Sequence, residues 1–173
     1  KCFSDALNII DSGLKGMDGF PFDGEGTPSG EHRIVSNGYF TSFLYDKYYG
    51  KKFGLPSTGN SVRQGIKEPP KCGPRCLIIE NGQRDIRKNI TNGIIIEELM
   101  GTHTANPITG DFSLGATGYL CKNGEKLPFN GVIFSGNVFE LLNNVKEVGN
   151  DFRFFGTSGT PSVYVEGIKI SGT

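Results

Sequence analysis

Glycine is the residue that most limits how this chain can fold: it occurs 26 times in 173 residues, from end to end and without a repeat period. Frequent glycine interrupts long helices and suits tight turns, because glycine adopts positive φ without steric cost. The dipeptides Asn37-Gly38 and Asn123-Gly124 each separate two β-rich runs, which is the strongest short-range signal for a two-residue hairpin turn. The chain is therefore predicted to consist of short strands joined by turns.

The runs between these turns predict the fold class. Residues 94–99 are the most β-branched run in the chain and are predicted to form a central strand. A short helix is expected over residues 45–52, closed by Gly54, and Asn137 can cap a second helix. We therefore predict an α+β fold: an antiparallel, strand-dominated sheet or barrel-like domain with two or three short helices.

Charge and hydrophobicity exclude two classes of partner. The 18 basic and 18 acidic side chains give a net charge of zero, whereas nucleic-acid binding is dominated by neutralisation of phosphates. No run of 18 apolar residues is present, so no transmembrane helix is expected. We predict neither a nucleic-acid partner nor a membrane partner. The first residue, Lys1, predicts that the chain is a piece of a longer protein.

The four cysteines are too few for a disulfide scaffold in a chain of this length. Cys72 and Cys76 stand in a C-x3-C arrangement within the polar, glycine- and proline-rich run 56–75, which is predicted to be a long loop. A structural zinc site needs about four ligands, and no second Cys or His pair accompanies these two. They are interpreted as reduced thiols of a cytoplasmic protein, with a metal site as the alternative.

Acidic residues suggest two places of interest, of which the first is Asp23 with Glu25. In an extended segment these two side chains share a face, so they can act on one cation or one backbone group. Alternatively, each accepts hydrogen bonds from backbone amides of a glycine-rich turn, which is the interpretation we favour.

The second place is a candidate substrate groove, to which we assign four residues: Glu97, His103, Thr109 and Asp111. Glu97 precedes Glu98 in a strand, where neighbouring side chains alternate, so at most one of the pair faces a site. His103 is a lone histidine, either a hydrogen-bonding loop residue or a base, and Asp111 either binds loop amides or faces the groove. No zinc-binding histidine pair, nucleophile elbow or phosphate loop is present, so no catalytic residue is predicted.

Seven short strings stand in a recognisable order. They are PFDGEGT at 21–27, LPSTGN at 55–60, EELMG at 97–101, ITGDFSLGA at 108–116, NGE at 123–125, SGN at 135–137 and VGND at 148–151. In order and spacing, the chain from about Asp11 onward resembles the C-terminal half of the TldD/PmbA family. Members of that family were formerly called modulators of DNA gyrase and are now regarded as metallopeptidases.

The resemblance implies a division of labour between two subunits. A TldD-like subunit carries an H-E-x-x-x-H zinc motif and a third ligand, a cysteine near its C-terminus, and it pairs with a PmbA-like (TldE) subunit. That cysteine would follow the VGND string, but residues 152–161 contain none. The strings around Met100 and Gly110 also favour the PmbA-like branch. The resemblance thus implies that 1–173 is the C-terminal domain of a PmbA-like protein, without its N-terminal part.

The partners and cofactors follow from the same resemblance. No cofactor is expected in this chain, and zinc is expected in the TldD-like partner subunit of a homo- or hetero-oligomer. The substrate would be a flexible peptide, held through an exposed strand by β-augmentation and processed in peptide maturation and proteolysis. Two alternatives stay open: a self-sufficient zinc metallopeptidase with its ligands upstream, and a non-enzymatic protein-binding module.

Overall fold

The computed structural model describes residues 1–65, 67–88 and 90–172. The chain divides into two compact units. The first unit contains Lys1–Gly82 and Asp151–Pro161, and the second contains Gln83–Asn150 and Ser162–Thr173. No helix in the described part of the chain is long and apolar enough to cross a membrane.

Strands dominate both units. In chain order they are β1 (Ile9–Ser12), β2 (Glu31–Ser36), β3 (Tyr39–Phe40), β4 (Ser61–Val62), β5 (Lys71–Cys72), β6 (Leu77–Ile79), β7 (Gly93–Met100), β8 (Asp111–Lys122), β9 (Glu125–Asn137), β10 (Val145–Val148), β11 (Arg153–Phe155), β12 (Ser158–Thr160), β13 (Val163–Val165) and β14 (Lys169–Ser171). The helices are α1 (Lys47–Phe53) and α2 (Val138–Asn143), with a one-turn 3-10 helix at Thr102–Thr104.

The first unit is built on a six-stranded sheet with the order β11-β12-β6-β1-β2-β3. Its neighbours are antiparallel except β12 and β6. The turn between β2 and β3 places Asn37 at φ 45° and Gly38 at φ 75°, the pair of positive angles that a type I′ turn requires. The first predicted hairpin is thus confirmed. Ile10 and Ile78, on the neighbouring strands β1 and β6, are buried together with Cys76.

The second unit is built on a four-stranded sheet with the order β14-β9-β8-β7. Its centre is the long hairpin of β8 and β9, whose turn places Asn123 at φ 51° and Gly124 at φ 85°, so the second predicted hairpin is also confirmed. Both large sheets have two edge strands and neither closes on itself. The predicted antiparallel, strand-dominated α+β fold is confirmed. Of its two predicted forms, a sheet or a barrel-like domain, the described residues form open sheets.

The position predicted for the strand at 94–99 is wrong. This run lies in β7, which in the described chain pairs only with β8 and forms an edge of the sheet. Within β7 only Ile95 is buried. β-Branched residues favour extended backbone wherever it occurs, whereas burial on both faces depends on which strands lie alongside.

Both helices begin and end where local signals place them. The Asp46 carboxylate caps α1 by accepting a hydrogen bond from the Tyr49 N–H (2.7 Å), and Gly54 ends it in the left-handed conformation at φ 70°. The Asn137 side chain caps α2 by accepting from the Phe139 N–H (2.9 Å). The helices predicted after residue 44 and after Asn137 are therefore present.

Candidate functional site

Asn106 shapes the turn that leads into β8. Its Oδ1 accepts hydrogen bonds from the N–H groups of Ile108 (2.9 Å) and Thr109 (3.1 Å). Its own N–H donates to the carbonyl of Asp111 (2.9 Å), and its carbonyl accepts from the Gly110 N–H (2.9 Å). Asparagine side chains close turns in this way because they mimic a backbone acceptor. The turn fixes Thr109 and Asp111 at the start of β8.

Asn137 holds the Asp111 carboxylate in place. The two residues are opposite each other in the register of β8 and β9. The Asn137 Nδ2 donates to Asp111 Oδ1 (2.9 Å) and to the Thr109 carbonyl (2.8 Å), while its Oδ1 caps α2. One amide side chain therefore joins the turn, the acid and the helix, and it connects the strings ITGDFSLGA and SGN in the structure.

The hydrogen-bond donors next to Asp111 lower the pKa of its carboxyl group. Hydrogen bonds from the Asn137 amide, and next from the Thr109 hydroxyl, lower the pKa of Asp111 from its usual value, because they stabilise the charged form. Within the described residues, no Lys, Arg or His forms an ion pair with Asp111. Asp111 is therefore an exposed carboxylate at neutral pH, without a cation of its own.

A shallow pocket of about 450 Å³ lies beside this carboxylate. Its lining consists of Thr104, Asn106, Asp111, Phe112 and Ser113. The Phe112 ring stacks on Phe134 with the ring centroids 5.0 Å apart, so the apolar part of the lining is packed against the sheet. The pocket thus combines one charge with hydroxyl and amide groups, while the Phe112 ring lies on the other face of the strand.

The four groove candidates are not all brought together. Thr109 and Asp111 are adjacent, and the Asp111 N–H donates to the Thr109 hydroxyl (3.3 Å). His103 is exposed in the 3-10 helix between β7 and β8 and does not line the pocket. Glu97 is exposed on β7 and forms an ion pair with Arg87. The structure therefore gathers two of the four at one point.

A β-bulge changes the expected geometry of Glu97 and Glu98. The register passes from Ile96 opposite Gly118 to Glu98 opposite Thr117, which leaves Glu97 without an opposite residue. Regular alternation, on which the prediction for this pair rested, is interrupted at such an extra residue. Both glutamates are exposed.

Asp23 and Glu25 accept hydrogen bonds from backbone amides. Asp23 is buried, with Oδ1 accepting from the N–H groups of Glu25 (2.9 Å) and Thr27 (2.8 Å), and Oδ2 accepting from that of Ser61 (3.0 Å). Glu25 Oε2 accepts from the N–H of Lys47 at the start of α1 (2.9 Å). Of the two interpretations of this acidic pair, the capping of backbone amides is confirmed.

Asp11 is a second buried carboxylate, and sequence reasoning missed it. Its side chain is fully buried; Oδ1 accepts from the N–H groups of Arg75 (2.8 Å) and Cys76 (3.0 Å), and Oδ2 accepts from Asn60 Nδ2 (2.5 Å). A buried charge is tolerated only when it is hydrogen-bonded in this way. The sequence feature that could have pointed to Asp11 is Asn60, the last residue of the string LPSTGN. Asn60 donates its hydrogen bond to Asp11, which lies 49 residues away in the sequence.

The cysteines are free thiols in the structure. Burial raises the pKa of the Cys76 thiol and also that of Cys72, which donates a hydrogen bond to the Leu44 carbonyl (3.3 Å). In residues 1–65, 67–88 and 90–172, no three His, Cys, Asp or Glu side chains form a group that could hold a metal ion. These residues offer no ligand set for zinc.

Comparison with known protein families gives one match across the chain. The model of the PmbA/TldA metallopeptidase C-terminal domain matches residues 1–172. The metalloprotease PmbA of Escherichia coli is 34% identical over 160 residues, which cover 92% of this chain and 34% of that protein. A zinc metalloprotease TldD homologue of Saccharolobus solfataricus is 26% identical over 167 residues, covering 87% of this chain and 38% of that protein.

Solved structures give the same picture. TldE from Thermococcus kodakarensis superposes with a TM-score of 0.85 at 30% identity, covering 99% of this chain and 41% of that one. A candidate modulator of a DNA gyrase from Thermotoga maritima superposes with a TM-score of 0.89 at 33% identity, covering 98% of this chain and 40% of that one. The chain thus spans about two fifths or less of the proteins that it matches.

Proposed function

Because this chain belongs to the PmbA/TldA metallopeptidase family, as its sequence strings predicted, we propose that it acts as the PmbA-like subunit of a TldD/TldE-type peptidase. The TldD-like subunit would supply the zinc, which would provide the Lewis-acid chemistry for peptide hydrolysis. This chain holds a flexible peptide substrate in an extended form. The complex acts in peptide maturation and proteolysis.

The observation that carries the proposal is the unpaired edge of β7 in the second unit. β7 has eight residues and, in the described chain, pairs on one side only. The free N–H and C=O groups of an edge strand can pair with an extended peptide. Main-chain pairing does not depend on side chains, so it suits flexible peptides of varied sequence.

The side chains of β7 support the same use of the edge. Ile94 and Leu99 are each 41% exposed and stand on opposite sides of the bulge at Glu97. Exposed edges are usually protected by charges or bulges, and β7 has a bulge and two exposed glutamates, but an apolar residue remains exposed on either side of the bulge. These residues can contact alternate side chains of a bound peptide, while the main chain provides most of the affinity.

A reconstitution experiment tests the subunit role. The full-length protein, its TldD-like partner and their mixture are each given a flexible peptide, and cleavage and zinc content are measured. We expect cleavage by the mixture, inhibition by a chelator, and no cleavage by this protein alone. If this protein alone cleaves at the same rate and holds one zinc ion per chain, the self-sufficient peptidase is correct. If pull-downs recover no peptidase partner, the binding module gains support.

A substitution on the edge strand tests the peptide-binding surface. Leu99→Lys adds a charge to β7, as natural edge strands do to prevent strand addition, and we expect it to weaken binding of a labelled flexible peptide to the complex. Ile133→Lys is the matched control, since Ile133 is 48% exposed but lies where β9 pairs with β8 on one side and β14 on the other. Equal effects of the two substitutions would contradict pairing at β7.

A further inference from the structure

The surroundings of Asp111 contain no basic side chain that neutralises it. No Lys or Arg occurs between Gly101 and Cys121, or between Leu127 and Val145. These two segments contain most of β8 and β9, the turn before β8, and α2. Their charged residues are Asp111 and Glu140, apart from His103. These two segments therefore carry net negative charge in a chain whose net charge is zero, and Lys169 of β14, opposite Ser135, is a basic residue on the same face of the sheet.

The carboxylate is also oriented in advance. Asp111 Oδ1 is held by the Asn137 amide, and that amide is itself fixed by its bonds to Thr109 and α2. A group that is already positioned loses little conformational freedom when a ligand binds. The carboxylate is thus held in one orientation beside a shallow pocket of about 450 Å³.

We propose that this pocket binds a cationic group of the peptide, an ammonium or a guanidinium, with Asp111 as its counter-ion. The inference rests on the proposed peptide-binding function and adds a substrate preference to it. Met100, the last residue of β7, is opposite Gly115 of β8, four positions from Asp111. If a peptide pairs with β7, those of its residues that extend past the end of the strand can therefore reach the pocket.

The other lining groups suit the same ligand. An ammonium group has three donors and needs several acceptors. The Thr104 hydroxyl donates to the Gly101 carbonyl (2.8 Å), which leaves its oxygen available as an acceptor. Ser113 follows Asp111 by two positions on β8 and lies on the same face of the strand.

Fluorescence anisotropy with the full-length protein tests the preference. The probe is a labelled six-residue peptide of alternating threonine and valine, acetylated and amidated, with one lysine, compared with versions containing arginine or norleucine there. A fourth version has norleucine and a free N-terminus, which separates a terminal ammonium from a side-chain cation. We expect a cationic version to bind about fivefold more tightly than the acetylated norleucine version, the size of an exposed ion pair.

Two variants locate the effect. Asp111→Asn keeps the side-chain shape and is expected to abolish the cation preference. Asp85→Asn removes one negative charge elsewhere in the second unit, where Asp85 pairs with Lys88 (3.1 Å), and is expected to keep the preference. A preference retained by Asp111→Asn, or lost equally in both variants, overturns the assignment.

The outcomes separate this inference from the function on which it rests. If the norleucine peptide binds and Leu99→Lys weakens it, but no cation preference exists, only the pocket assignment fails. If no version binds, the proposed function fails together with it. The pH dependence adds a check: because the pKa of Asp111 is lower than usual, the preference should persist through the pH range in which an ordinary aspartate is protonated and be lost only when the pH falls further.

Discussion

Aspartates have opposite roles in the two units. In the first unit, Asp23 is buried and accepts three backbone hydrogen bonds, and Asp11 is buried with three donors of its own. In the second unit, Asp111 is exposed beside a pocket. The difference teaches that an acidic residue in a family string is not by itself evidence of chemistry. The donors around it and its exposure decide between a structural and a ligand-binding role.

The two Asn-Gly turns give a second comparison. Their backbone angles are nearly the same, but their surroundings differ. A Cβ added at Gly38 in the first unit would lie 2.4 Å from the Phe3 carbonyl oxygen, whereas at Gly124 in the second unit it would meet no atom within 4 Å. The first turn is packed against other backbone and the second is open.

The largest expected effect comes from changing a buried acid. In Asp11→Asn, one carboxylate oxygen becomes an NH₂ group that must face a donor, either the Asn60 amide or the N–H groups of Arg75 and Cys76. We expect a loss of about 3 kcal/mol in the free energy of unfolding. Urea unfolding measures it, and hydrogen exchange at Arg75 and Cys76 should accelerate. Asp111→Asn is the control, and it should change the free energy of unfolding much less because Asp111 is exposed.

A smaller difference is expected between the turns. Gly124→Ala requires only the left-handed conformation and should lower the free energy of unfolding by about 1 kcal/mol. Gly38→Ala adds the contact with the Phe3 carbonyl, so its loss should reach about 2 kcal/mol or more. Thermal or urea unfolding measures both. Equal losses would show that the first turn moves away from residue 3 at little cost.

Removal of the helix caps comes next, with about 1 kcal/mol expected for Asp46→Ala and for Asn137→Ala. The two variants should differ in a second property. The Asn137 amide is the main cause of the low pKa of Asp111, so Asn137→Ala should raise that pKa, whereas Asp46→Ala should leave it unchanged. NMR titration of the Asp111 carboxyl carbon distinguishes them. Any stability that the low pKa contributes is present near neutral pH and is lost as the pH falls through the folded-state value.

The smallest effect is expected at the ion pair of Glu97 with Arg87. Both side chains are partly exposed, and such pairs contribute about 0.5 kcal/mol or less. Glu97→Gln should therefore lower stability only slightly, and 0.5 M salt should remove the difference because it screens exposed charges. Urea unfolding at low and high salt measures this. A loss above 1 kcal/mol would mean that Glu97 stabilises the bulge itself.

Several features were predictable because they depend on near neighbours in sequence. Asn-Gly needs only its own two residues to form a type I′ turn, and Asn137 finds its first partner two residues away at Phe139. The family strings were readable for the same reason. By contrast, β1 was missed: it has four residues, and Asp11 with Ser12 makes half of it polar although both are buried.

The sequence by itself determined the turns, the helix caps, the strand-rich fold and the family, all of which are set by residues close together along the chain. Only the tertiary structure decided that β7 lies at an edge, that Asp11 and Asp23 are enclosed, and that Asp111 stands exposed beside a pocket. Edge position and burial depend on partners far away in the sequence, such as Asn60 for Asp11 and Asn137 for Asp111. A local pattern carries no information about which distant donors will surround a carboxylate, and those donors determine what it does.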